Sequence, residues 1–169
     1  TKYMMKASAN YSSNLMLAMK KNSADVKARF ISMANEAKFE ALGAADAQMN
    51  AVVSAGATLR SSIDAAATVS DVDAAFSAYH DTIVDQLRVT LDSEAEAVTT
   101  IDSSINSSTG AKATLETALS ASASTGQVVD AYVTFYEAVK TSVDSSLSAL
   151  SSAEAEAAAE ILILANMQV

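Results

Sequence analysis

Residues 68–105 read TVSDVDAAFSAYHDTIVDQLRVTLDSEAEAVTTIDSSI, and their apolar positions decide the fold class. Val69, Val72, Phe76, Tyr79, Ile83, Leu87, Leu91, Ala95, Val98, Ile101 and Ile105 recur in steps of three and four. That period gathers them on one face of an α-helix, whereas a half-buried strand needs alternation in steps of two. The stretch also opens as a helix opens. The Thr68 hydroxyl is placed to accept an orphan backbone N–H. Asp71, three residues on, answers the cap and suits the positive end of the helix dipole. At about 1.5 Å per residue the spacing predicts a helix on the order of 55 Å long.

The same opening recurs on both sides. Asn22-Ser23-Ala24-Asp25-Val26-Lys27-Ala28-Arg29-Phe30 resembles residues 68–76, and so does Thr125-Gly126-Gln127-Val128-Val129-Asp130-Ala131-Tyr132. The starts lie about 46 and then about 57 residues apart, a period that usually means one supersecondary unit reused. In the third unit Val128 replaces the acid, and Ser124 with Gln127 offers a substitute cap one residue earlier. Its apolar line runs Val128, Tyr132, Phe135, Val139, Val143, Leu147, Leu150, Ala153, Ala157, Ile161, Leu164, again at helical spacing. The first unit gives Val26, Phe30, Met33, Ala37, Ala41, Ala45, Met49 and Val52, with Gly43 as a bend. Shorter helical pieces are expected over about 57–67 and 111–123, the latter after the loop Asn106-Ser107-Ser108-Thr109-Gly110. Gly110 there suits a helix C-terminus. A further helix over about 2–21 carries Tyr3, Met4, Ala7, Tyr11, Leu15 and Ala18 on one face and closes on Lys20-Lys21.

These readings assemble into one all-α domain over 1–169. The expected architecture is an elongated bundle of five or six amphipathic helices, three of them long, with repeat-like helix-loop-helix units starting near 22, 68 and 125. The apolar spacing stays closer to 3.6 than to 3.5, which favours a bundle over a long coiled coil. Composition agrees. The chain has no Pro, no Cys and no Trp and only four Gly, so little interrupts a helix. No apolar stretch approaches the ~20 residues a spanning helix needs.

Charge excludes one class of partner and suggests another. A net charge of −9 argues against nucleic acid, whose phosphates need a basic surface. Yet residues 1–38 hold seven of the eleven Lys and Arg against two acids, and residues 39–169 hold four against eighteen. Such a basic segment either docks on the acidic remainder or faces an external anionic surface, and the first is favoured.

Catalytic constellations are missing. The single histidine, His80, beside Asp81 and near Asp85, has no second His or Cys to make a metal site, and it reads as a boundary residue. No nucleophile elbow, calcium loop or phosphate-cradling glycine loop is present. The carboxylates Asp92 with Glu96, Glu156 with Glu160, and Asp71 with Asp73 read as solvated faces. The expectation is therefore a non-enzymatic protein with no metal and no cofactor.

The aromatics Phe30, Phe76, Tyr79, Tyr132, Phe135 and Tyr136 collect near the helix starts. If those ends converge they line an apolar pocket with tyrosine hydroxyls as polar handles; otherwise they fill the core. Seven Met, among them Met4, Met5, Met16 and Met19, read first as core packing and second as an apolar-partner surface. Three functions follow as expectations. The first is binding of a lipid surface or a hydrophobic small molecule by helices that trade mutual contacts for lipid. The second is self-association into a silk- or coat-like extracellular structure. The third is a protein-binding module. A start at Thr1 fits removal of a signal peptide, removal of an initiator Met or a trimmed chain. The sequons at Asn10 and Asn106 are usable on secretion or arise by chance in a Ser-rich chain; of these a secreted protein is the favoured expectation.

Overall fold

In a computed structural model the chain is all helical, with the backbone described for residues 2–167 and side chains for 12–167. Among the described residues there are seven α-helices. They are α1 (Lys2–Ala41), α2 (Asp46–Ala65), α3 (Val69–Thr90), α4 (Ala95–Asn106), α5 (Ala111–Ala121), α6 (Thr125–Ser146) and α7 (Ser152–Asn166). A short 3₁₀ turn, Asp92–Glu94, joins α3 to α4.

The first repeat-like start is not a helix start. α1 runs unbroken through Asn22 as a single helix of 40 residues, about 60 Å long. Leu17-Ala18-Met19-Lys20-Lys21 are all strong helix formers. A capping residue matters only where something has already ended the preceding helix. Asp25 instead pairs with Arg29 one turn on, at 3.0 Å. α1 stops at Gly43, the position expected to bend. Gly43 has φ +69, its N–H donates to the Glu40 carbonyl and the Ala44 N–H donates to that of Phe39. This is the left-handed Schellman termination that glycine permits at no steric cost.

The two long helices expected after residues 68 and 125 each break once. α3 ends on Leu91 (φ −101, ψ 46) and α6 on Leu147 (φ −102, ψ 55). Both leucines stay buried, so the chain turns without leaving the core. The parallel is wider. Val69 and Thr125 begin helices of 22 residues each, and both N-caps accept a bond from the residue three on, Thr68 from Asp71 and Ser124 from Gln127. α7 restarts on a full capping box, Ser151 with Glu154. Gly110 caps the start of α5 in an extended conformation and ends no helix. A Cβ there would meet the Ser104 carbonyl oxygen at 2.2 Å, so glycine is kept for close approach to the end of α4.

One core joins α1, α2, α3, α4, α6 and α7. α7 is apolar nearly all round, with Ala155, Ala157 to Ala159 and Ile161 to Asn166 buried, and it packs against α1, α3 and α6. Glu160, which lies among these buried residues, pairs with Lys38 of α1. The basic segment does dock on acidic partners. Lys20 meets Asp73 at 3.0 Å, and Lys21 Nζ donates to the Asp64 and Ala66 carbonyl oxygens at the end of α2. Lys21 thus caps the negative end of a neighbouring helix.

Candidate functional site

The helical faces expected to form the core of α3, α4, α6 and α7 largely do so, but α1 turns its expected core outward. Ala24, Ala28, Ile31 and Phe39 are buried, while Met19, Val26, Phe30 and Met33 are 67%, 65%, 62% and 71% exposed. Leu15 and Met16 are exposed with them. Both lines have helical spacing, and they lie on opposite sides of one helix. The reason the smaller line wins the core is steric. α1 crosses α2 where Gly56 faces Ser32, so closely that a Cβ on Gly56 would fall 2.7 Å from Ser32 Oγ. Ala24 and Ala28 permit that approach; Phe30 and Met33 would not.

The outer line is therefore an uncovered apolar strip. Met16, Met19, Ser23, Val26, Phe30, Met33 and Ala37 follow one another in alternating steps of three and four, all exposed. Soluble chains rarely leave so many large apolar side chains in a row in water. Lys27 flanks the strip. Its burial and then the nearby Lys20 ammonium lower its pKa to about 8. Arg29 flanks the other edge, 62% exposed at its side chain.

The six aromatics do not converge. Phe30 stands on the outer face of α1, and Phe76, Tyr79 and Phe135 are buried in the core. Tyr132 is 38% exposed on α6, with Tyr136 partly buried beside it. The expected common pocket is thus replaced by three separate environments, because α1 presents Phe30 away from α3. Tyr79 instead makes a buried polar contact. Asn35 Nδ2 donates to its hydroxyl at 2.9 Å, and burial pushes the hydroxyl pKa upward. Of the sequons, Asn10 lies outside the residues whose side chains are described. Asn106 is exposed at the end of α4, and its Nδ2 donates to the Asp102 carbonyl.

Several shallow grooves line the described surface. One of about 670 Å³ over α6 brings Tyr132 and Tyr136 together with Val129 and Val133, and one of about 380 Å³ holds His80 and Asp102 with Thr99 and Ser103. Two more lie between helix pairs. One of about 390 Å³ lies between α5 and α6 over Leu115, Ala118, Ala131 and Phe135. The other, about 350 Å³, lies between α2 and α3 over Leu59, Ser62, Ala75 and Tyr79. No family model, no curated protein and no solved structure matches this chain. Its surfaces therefore have to be read from their own chemistry.

His80 is more than a boundary residue. Its Nε2 lies 2.9 Å from Asp102 Oδ1 of α4, and its Nδ1 lies 3.0 Å from Asp81 Oδ1. Asn166 of α7 donates to the same Asp102 oxygen at 3.2 Å, so one carboxylate ties three helices. Burial disfavours the charged imidazole, but the hydrogen bonds and charges of Asp102 and Asp81 outweigh it and raise its pKa. Burial likewise opposes ionised Asp102, and the His80 contact again prevails, so its pKa falls. Asp102 was missed from sequence because it is distant along the chain and no local spacing pairs it with His80. Through Asp102, His80 and Asn166 hold α3, α4 and α7 together as a clamp. Among the described residues no cluster of three His, Cys, Asp or Glu side chains is placed to hold a metal ion, and no helix is long and apolar enough to cross a membrane.

Proposed function

We propose that this chain is a non-enzymatic binding protein that adsorbs to an apolar, negatively charged surface, above all a lipid interface, through the outer face of α1. One observation carries the reading: the helix that holds most of the positive charge also exposes Met19, Val26, Phe30 and Met33 in line. A basic helix with one apolar face lies in the plane of a membrane surface, gaining burial from one and attraction from the other. Fully burying a side chain of this size is worth ~1.5–3 kcal/mol. Four such residues, already partly covered, give on the order of 4–8 kcal/mol before ordering costs. The bundle need not open for this, because the face is already outside. Unbranched Met suits a disordered apolar phase, since it adapts its shape to its neighbours. The same proposal places the protein outside the cell, where the exposed Asn106 sequon would be usable.

Co-sedimentation with phosphatidylcholine vesicles, with and without phosphatidylglycerol, tests it. We expect binding that strengthens with phosphatidylglycerol, weakens with salt, and falls at least tenfold in the Phe30→Ser, Met33→Ser double variant. Equal, negligible partition of the wild type and variant chains would end the proposal.

A further inference from the structure

The α2–α3 and α5–α6 pairs share a register. Leu59, Ile63, Val72 and Phe76 of the first pair match Leu115, Leu119, Val128 and Tyr132 of the second at one constant offset. In the first pair all four are buried, and α1 lies across the pair. Lys20 grips Asp73 of α3, and Lys21 grips the end of α2. In the second pair the matching four are only half-buried or, for Tyr132, exposed. α5 has no buried side chain at all, and its neighbours are α6 and α4. Val129, which stands where Asp73 stands in the first pair, is 53% exposed. The second pair thus keeps an apolar seat of the kind that α1 fills on the first.

We infer that this seat takes the outer face of α1 from a second copy, so that copies associate head to tail. Each molecule then offers one donor, the Met19–Met33 strip, and one acceptor, the α5–α6 face. Charge favours this pairing over α1 on α1. Two α1 strips would instead bring together two helices of the same basic balance. α5 and α6 carry Glu116, Asp130, Glu137 and Asp144 against Lys112 and Lys140, an acidic balance opposite to that of α1. Lys112 occupies the position of Gly56, so the incoming helix sits farther out than α1 does on α2. That separation suits the larger Met and Phe side chains. A heterologous contact of this type closes into rings or continues as open chains. The inference stands without the lipid reading. Where both hold, they use the same α1 face, and vesicles compete with assembly.

Sedimentation velocity over a concentration series, without lipid, is the test. A donor-defective chain carries Phe30→Ser with Met33→Ser, and an acceptor-defective chain carries Val129→Lys with Tyr132→Ser. Wild type is expected to grow past dimer. Each variant alone stays monomeric, and an equimolar mixture stops at a one-to-one dimer, because one intact donor and one intact acceptor remain. Assembly of the acceptor-defective chain alone, no dimer in the mixture, or a wild type that stays monomeric would each overturn the inference. If the acceptor double variant fails to fold by circular dichroism, Val129→Lys alone, at an exposed position, replaces it. Vesicle binding retained by the acceptor-defective chain would keep the two proposals separate.

Discussion

Removing the Asp102 carboxylate perturbs three helices at once, and the size of the effect can be worked from its contacts. Its Oδ1 takes His80 Nε2 at 2.9 Å and the amide nitrogens of Asn106 and Asn166 at 3.2 Å each. The two ionisable side chains are only 12% and 16% exposed, so this is not a solvent-screened surface pair. A hydrogen bond to a charged group contributes about 1.5–3 kcal/mol, and donors left unpaired add desolvation cost. Because Asn106 is exposed and retains the Asp102 backbone oxygen, the expected loss for Asp102→Ala is about 2–3 kcal/mol. For a chain of this length that is roughly 5–10 °C in Tm.

The pH dependence gives the sharper test. His80 has a raised pKa, so its contribution is complete below about 6.5 and disappears as pH rises through the folded value. Asp102 has a lowered pKa, so its contribution is complete above about 3.8 and disappears as pH falls through the folded value. The pair is therefore strongest between those limits. Total stability will not report it cleanly, because Lys27 acts in the opposite sense. Its folded pKa of about 8 lies below its ordinary 10.5, so it destabilises the fold while charged and ceases to do so as pH rises. A double-mutant cycle of His80→Ala and Asp102→Ala cancels that background. Urea unfolding followed by circular dichroism should give a coupling of about 1–2 kcal/mol at about pH 5.5, shrinking towards that of a neutral hydrogen bond by about pH 9. A coupling that is absent at the lower pH, or equal at both, refutes the clamp.

Three further outcomes are expected. Lys27→Met should raise the urea midpoint at neutral pH, with the gain fading between about pH 8 and pH 10.5 as the wild-type ammonium loses its proton first in the folded state. Gly56→Ala should cost about 1–3 kcal/mol in chemical denaturation by forcing α2 off Ser32, and Ser32→Gly in the same chain should recover part of it. Ser151→Ala should cost about 1 kcal/mol by uncapping α7, and hydrogen exchange should show the loss first in the turn after Ser151.

The fold class was legible because period-3.6 spacing is a local property that packing only selects from. Phe76, Ile83, Leu87, Val139 and Val143 are buried where their spacing places them. The two helix breaks were harder. At Leu91 and Leu147 the apolar spacing continues across the turn, because the buried leucine serves both segments. Yet Ser151-Ser152-Ala153-Glu154 is a readable capping-box sequence, and it marks the restart of α7. The start at Asn22 failed for the converse reason. A cap signature is necessary for many helix starts but ends nothing, and no residue upstream of it stops α1.

α1 shows why the candidate site was not legible even though its residues were. Two apolar lines run along this helix, one of Ala24, Ala28, Ile31 and Phe39, one of Met19, Val26, Phe30 and Met33. A reading by side-chain size puts the second line inside. Packing decides otherwise, because the interior seat is set by a partner, Gly56 against Ser32, that local sequence does not reveal. Large residues then remain outside, where they cost solubility and gain nothing for folding. Their presence calls for a contact that lies beyond the folded chain. The lysines that accompany them, and the α5–α6 face left without a covering helix, give that contact its chemistry: apolar at the centre and acidic at the rim.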